Sequence, residues 1–350
     1  MKSLLVHIGT GKTGSTAIQR ALNSATSALR EQGIHYWGLN LEGCHKVDQI
    51  YPWQKESGTS VLQQLSTTEA KQQLRKALDL ALASLNDNEL AIWSNESIAE
   101  RPDAYIPAIK ECSEAASVNL TIICYVRSHR SFVNSAYKQW GIKHKTYQGQ
   151  VLSFQDWVRS RISFLSYGRQ VAMWDETFEN RMRLFNYDAI TDVVEHFSGL
   201  IPTPKPLDLP SQRANNSPSE ALLALFALYN NQNNSPVGPN AIQDIQQRYQ
   251  LIRSNHKIID LADLFPSSER LSEAEELLKE DFDLVNHLLR QHKQPELNAK
   301  AGSEKPERLT TDSIQSSLLS MLLKMLITQD ERIQLLEQQL NNQAARPSTD

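Results

Sequence analysis

The chain has 350 residues, with 36 basic and 40 acidic side chains, a net charge of −4, and 40% hydrophobic against 22% charged residues. This is the composition of a globular protein long enough for one large α/β domain with appendages or two modest domains. The acidic balance excludes a general affinity for nucleic acid, and no stretch approaches the roughly 18 consecutive apolar residues of a membrane span. MKSLLVHIG is too short an apolar run for a signal peptide, so a cytoplasmic, bacterial protein is expected. Cys44, Cys112 and Cys124 have neither metal-ligand nor CxxC spacing, which makes each a buried small apolar residue in a reducing compartment.

In chain order, the apolar run Leu4 to Ile8 is followed by glycines and a helical pattern through Ile18, Leu22 and Leu29, a strand–loop–helix unit. Residues Glu69 to Leu85 carry leucines and alanines at helical spacing, and Glu89 to Trp93 reads as a buried strand. Pro102 and Pro107 are expected to break the chain before a short helix. Leu120 to Val126 is the clearest core strand, Ser131 to Trp140 resumes a helical pattern, and Met182 to Tyr187 precedes a helix over Ala189 to Phe197. Short apolar strands alternating with helices predict an α/β domain whose parallel sheet is covered on both faces.

Proline dominates from Pro202 to Pro210, dividing the chain into an α/β core over 1–202 and a helical remainder over 203–292, with a clean helix from Ser219 to Asn230 capped by Ser217 or Ser219. Residues 293–312 read as a linker, 313–341 as an amphipathic helix and 342–350 as a disordered tail. Leu319, Leu322, Leu326, Gln329, Ile333, Leu336 and Leu340 alternate in spacings of 3 and 4, either the seam of a coiled coil joining a homo-oligomer or a helix packed back on the domain.

The candidate site opens in the first loop. Gly11-Lys12-Thr13-Gly14-Ser15-Thr16 joins strand to helix, where inward-facing N–H groups and the helix N-terminus suit an anion. A triphosphate loop, GxxxxGK[ST], fits in neither register, because the lysine precedes its glycine by two residues. A second anion site follows the core strand, where Arg127 and Ser135 are separated by seven residues and Ala136-Tyr137 continues the pattern. An arginine at a strand end forks two oxygens of a phosphate. From Val118 to Gln155 there is no acidic residue, while Arg127, Arg130, Lys138, Lys143 and Lys145 are basic, a local positive field.

Lys12 to Thr16, Arg127 with Ser135, and Tyr187-Asp188 at the end of a late strand together resemble the sulfotransferases that use 3′-phosphoadenosine 5′-phosphosulfate (PAPS), of the bacterial carbohydrate and heparan type. The resemblance runs through residues 4 to 200 in discontinuous blocks and thins beyond Pro202. It implies a P-loop-type three-layer fold and sulfuryl transfer from PAPS to a hydroxyl acceptor, a saccharide or glycolipid, with PAP as product and no metal. In that reading Gly11 to Thr16 hold the 5′-phosphosulfate and Lys12 stabilises the leaving oxygen. Arg127 and Ser135 hold the 3′-phosphate, and Tyr187 lies beside the adenine. Asp188 stands where the family commonly has Glu, and the Arg-Lys-Gly run of cytosolic animal members is absent, with Arg213-Ala-Asn-Asn-Ser217 in a comparable loop.

A hydroxyl acceptor requires a general base. Glu96, after the strand ELAIW, is the first candidate, as in carbohydrate-acting members of the family, and the competing reading is a helix cap. His129 and His144 are the alternative bases, while His7 is expected inside the sheet end. Trp140, Tyr147, Trp157 and Tyr167 line a sugar cleft or pack the core. Two other functions stay open: a P-loop kinase or phosphotransferase, with Asp188 as the acidic residue after a strand, and a non-catalytic oligomeric scaffold.

Overall fold

Five apolar runs form a single sheet: β1 (Ser3–His7), β2 (Ile34–Tyr36), β3 (Leu90–Ser94), β4 (Asn119–Val126) and β5 (Met182–Asn186), all parallel, in the order β2-β3-β1-β4-β5. The computed structural model describes residues 1–44, 50–55, 59–203, 207, 209–210, 220–238, 264–298 and scattered positions between 315 and 339. β1 is central, with Ser3 in register with Leu90 on one side and Asn119 on the other. Its Leu4, Leu5 and Val6 are buried, which is why the strands read as continuous apolar runs rather than alternating ones. β2, an edge strand of three residues, has too short a pattern to register in the sequence reading.

Helices α1 (Ser15–Ser24), α2 (Thr26–Glu31) and, late in the chain, α11 (Val193–Leu200) cover one face. There Ile18, Leu22, Leu29, Val194 and Phe197 pack with Leu5, Ile92, Ile123 and Tyr125. Between them come α3 (Thr59–Gln64), α4 (Thr67–Ala83), α5 (Ser97–Glu100), α6 (Pro102–Ala115), α7 (His129–Ala136), α8 (Phe154–Ser160), α9 (Ile162–Leu165) and α10 (Gly168–Phe178). After α11 follow α12 (Glu220–Gln232), α13 (Ser268–Leu277) and α14 (Lys279–Gln291). α4 packs on α6, and α10 and α14 pack on each other and on β5. All three cysteines are free and buried.

The prolines do not break the chain as expected: α6 begins at Pro102 and carries Pro107 inside it. Pro102 stands where the first helical N–H has no partner to lose. Pro107 forfeits one hydrogen bond, which burial of Ala104, Ala108 and Ile109 in a helix packed on α4 offsets. The predicted helix over Ala189 to Phe197 starts later, at Val193, because the Asp192 carboxylate accepts from the N–H groups of Val194 and Glu195, a better cap than anything upstream.

The chain forms two compact units that interleave in sequence. One comprises Met1–Ala136, Val158–Asn216 and Ser268–Gly302; the other comprises Tyr137–Trp157, Ser217–Ser267 and Ser303–Asp350. The division expected at 202 is therefore crossed. The chain returns to the sheet unit at α13 and α14, where Glu275 pairs with Arg130 at 2.8 Å and Asp281 with His129 at 2.7 Å. In the second unit a π-helical turn, Tyr137–Lys143, packs Tyr137 on Phe154 and Trp157. Lys145 is fully buried there, donating to the carbonyls of Gly149 and Asn233. The described residues of the C-terminal segment are helical. Ser217, Ser219, residues 299–312 and the tail 342–350 lie outside the described residues.

The start of the expected linker is part of the sheet unit. Leu297 is buried, its N–H donates to the Asn286 side chain at 2.7 Å, and Asn186 donates to the carbonyls of Pro295 and Glu296. Asn286→Ala leaves a buried N–H unpaired, which costs about 1–3 kcal/mol. Urea unfolding should register that loss; a change under about 0.5 kcal/mol, as for an ordinary surface site, would return the segment to the status of a linker.

Candidate functional site

The strand order places the loops after β1, β3, β4 and β5 at one edge of the sheet. The chain reverses direction of travel at β1, the kind of switch point at which parallel sheets open a crevice beyond their strand ends. The loop after β1 first keeps to β4, with Ile8 N–H donating to Ile123 O and Thr10 N–H to Tyr125 O, and then turns into α1. The turn requires left-handed backbone at Lys12 (φ 69°) and Gly14 (φ 82°). Gly14 is demanded by space as well, since a Cβ there would lie 2.7 Å from Val193 Cγ1 and 3.1 Å from Tyr187 Cε2. The Thr13 hydroxyl locks the turn by donating to Thr10 O at 2.6 Å.

Among the described residues, the backbone N–H groups of Gly11, Thr13, Gly14, Ser15 and Thr16 donate to no protein acceptor. The Ser15 hydroxyl is buried, 4% exposed, and also has no partner. A lysine-bearing turn with open donors at the positive end of a ten-residue helix has the groups to accept an anion.

Arg127, directly after β4, joins this loop. Its Nη1 donates to Lys12 O at 2.9 Å, its Nε stands 3.7 Å from Asp188 Oδ1, and its guanidinium lies 5.4 Å from the centre of the Tyr187 ring. Asp188 also accepts from Ser128 N–H at 2.7 Å. The carbonyl of Arg127 accepts from the Tyr167 hydroxyl, whose pKa is raised well above the usual tyrosine value, chiefly by burial. The structure thus brings Lys12, Gly14, Arg127 and Tyr187 together from three loops. Asp188 lies beside Arg127 without a hydrogen bond to it, the Arg127 Nε having no hydrogen-bond partner. Ser135 sits half-buried in the last turn of α7 and makes no hydrogen bond to Arg127.

Glu96 lies beyond β3 and is not a cap. Asn95 takes that role, its side chain accepting from Ser97 N–H at 2.9 Å. The Glu96 carboxylate instead accepts from Gln19 Nε2 at 2.8 Å, and the same amide donates to Ser94 O at 3.3 Å. Gln19 is one turn along α1 from Ser15, so the helix that begins in the anion loop also orients Glu96. Glu100 follows four residues on. The residue as a whole is exposed, yet protein surrounding its carboxyl, and then the Glu96 charge, push its pKa up to about 7. The Tyr36 hydroxyl is held neutral by burial first, then by Glu42 and Glu96.

The alternative bases are occupied elsewhere. His129 is buried, bonded to Asp281 and stacked on Tyr167 at 4.6 Å. His144 belongs to the second unit, and its backbone N–H closes the π-helical turn on Gln139 O. His7 is inside the sheet end as expected, bonded to Ser94, its pKa pushed down to about 3 by burial. The expected positive field contracts, since Arg130 is buried on Glu275 and Ser268 and Lys145 on carbonyls: both charges serve as interior staples, a use that spacing does not reveal. Trp157 and Tyr167 are core residues, and Arg213 lies outside the described residues.

Comparison with family models, with curated proteins and with solved structures yields no match.

Gly14→Ala should destabilise the protein by about 1–3 kcal/mol, through a left-handed Cβ and collision with Val193, as measured by chemical denaturation. Wild-type stability in that variant would mean that the turn is not held as described. In a carbon-detected NMR titration, Glu100 should keep its proton into the neutral range. In Glu96→Gln its midpoint should fall, while staying above the usual 4.5 because burial persists. A Glu100 midpoint that ignores the substitution would contradict the pairing of the two carboxyls.

Proposed function

We propose that the protein is a sulfotransferase that moves the sulfuryl group of PAPS to a hydroxyl acceptor, with a saccharide or glycolipid as the acceptor class. The observation that carries this reading is the set of unsatisfied donors in the lysine-bearing loop, from Gly11 to Thr16, tied to Arg127. The donor set fits the group: open N–H groups and the Ser15 hydroxyl for an oxyanion, Lys12 beside them for charge, and the Tyr187 ring at the same edge for a base to lie against. In this proposal Arg127 keeps its bond to Lys12 O and offers its remaining N–H groups to the 3′-phosphate, with Ser135 as the second contact.

Sulfuryl transfer, like phosphoryl transfer, asks the protein mainly to align reactants and stabilise charge on the leaving oxygen. Lys12 would supply that charge. Glu96, its carboxylate direction set by Gln19, would take the acceptor hydroxyl's proton as the new S–O bond forms. In the kinase alternative the acidic residue after a strand would be Asp188, which accepts from Ser128 N–H and lies 3.7 Å from Arg127.

Calorimetry with 3′-phosphoadenosine 5′-phosphate (PAP), AMP and Mg-ATP tests the reading. The 3′-phosphorylated nucleotide should bind tightest, and Arg127→Ala should weaken it by about 10- to 100-fold, the value of a charge-assisted hydrogen-bonded contact. Ser135→Ala, which leaves the loop's own bonds intact, should weaken PAP and leave AMP unchanged. Equal or tighter binding of Mg-ATP would overturn the sulfotransferase proposal.

A further inference from the structure

The C-terminal helix carries a feature that the nucleotide site does not use. Its root is fastened to its own unit: Leu318 is buried against Ala224 of α12, with Leu228 and Phe265 packed beside it. Among the described residues beyond it the leucines and the isoleucine are exposed, Leu335 (55%) included. Leu319 is 67% exposed, Leu322 40%, Ile333 52% and Leu336 49%. These are the a and d positions of one heptad register, which Leu326 and Leu340 continue in the sequence, with Gln329 the single polar d residue. A face of this length and regularity, left exposed by its own chain at each described apolar seam position, needs a partner with the same repeat.

The charges flanking the seam select the partner. In this register the e positions are Leu323, Asp330 and Glu337, and the g positions are Leu318, Met325, Arg332 and Gln339. A parallel pair sets each g residue against the e residue five places later on the partner, so Arg332 meets Glu337 twice, once on each side of a two-fold axis. An antiparallel pair sets e against e, bringing Asp330 and Glu337 together. In-register parallel packing also places Gln329 against its own copy, where the two amides satisfy each other.

We infer that this helix pairs with that of a second copy of the chain as a short parallel two-stranded coiled coil, making the protein a homodimer joined at its C-terminal end. The inference does not rest on the nucleotide reading.

Sedimentation equilibrium on the full chain at micromolar concentration should give twice the 39.6 kDa of one chain. Leu322→Glu with Leu336→Glu should give a monomer whose remaining domain melts as wild type. Glu337→Arg should raise the dissociation constant by about 2- to 10-fold, the range of exposed ion pairs, and Arg332→Glu in the same chain should restore it. Gln329→Cys should form an interchain disulfide under oxidation. A monomeric wild type overturns the inference, as does a dimer that survives the double leucine substitution. No disulfide at position 329, or no rescue by the charge swap, overturns the parallel arrangement.

Discussion

The hydrogen bond from Arg127 to the carbonyl of Lys12 holds the functional edge together. Lys12 takes a left-handed conformation that costs a non-glycine residue about 1–2 kcal/mol, and a charge-assisted bond to its carbonyl is of the size that offsets it. The bond spans adjacent strands, from the loop after β1 to the end of β4. Asp188, beyond β5, lies 3.7 Å from the guanidinium on another side. One side chain thus stands against groups from three strand ends. The loop's open N–H groups are a consequence: the backbone is held in a turn whose donors its own carbonyls do not reach.

The same logic extends across the edge through α1. Its first turn supplies Ser15 and Thr16 to the anion loop, and Gln19 in its second turn directs the Glu96 carboxylate. A rigid helix fixes the separation between the two chemical groups more tightly than a loop would. Glu96 is thereby drawn out of the capping role that its position before α5 invites, a role that Asn95, bonded to both Leu39 O and Ser97 N–H, fills instead.

Much of this was legible in the sequence, for a physical reason. Strands buried on both faces have unmistakable runs, so β1, β3, β4 and β5 were read within a residue or two. Left-handed turns demand glycine, so the loop before α1 was legible too. β2 escaped because three residues carry no period. Pro107 misled because the packing that rescues it lies on α4. The turn over Lys12 to Thr16 was legible because its conformation is local. It was obscure where a charge is spent inside the protein: Arg130 and Lys145 read as a positive field, yet each is satisfied by partners far along the chain, Glu275 and Asn233. Asp188 was visible as an acid after a strand, but its two bonds belong to tertiary structure.

Lys12 and Arg127 stand at the β1 and β4 ends, with Asp188 beside Arg127 at the β5 end, and Glu96, Glu100 and the Tyr36 hydroxyl stand at the β2 and β3 ends. In the proposed transfer Asp188 would offset part of the Arg127 charge, while Glu96 is reached from the loop through Gln19 of α1. Glu100 in turn is held protonated towards the neutral range, first by burial and then by the Glu96 charge. In the proposed reading the anion loop and Glu96 are both reached from β1, because that strand lies at the centre of the sheet.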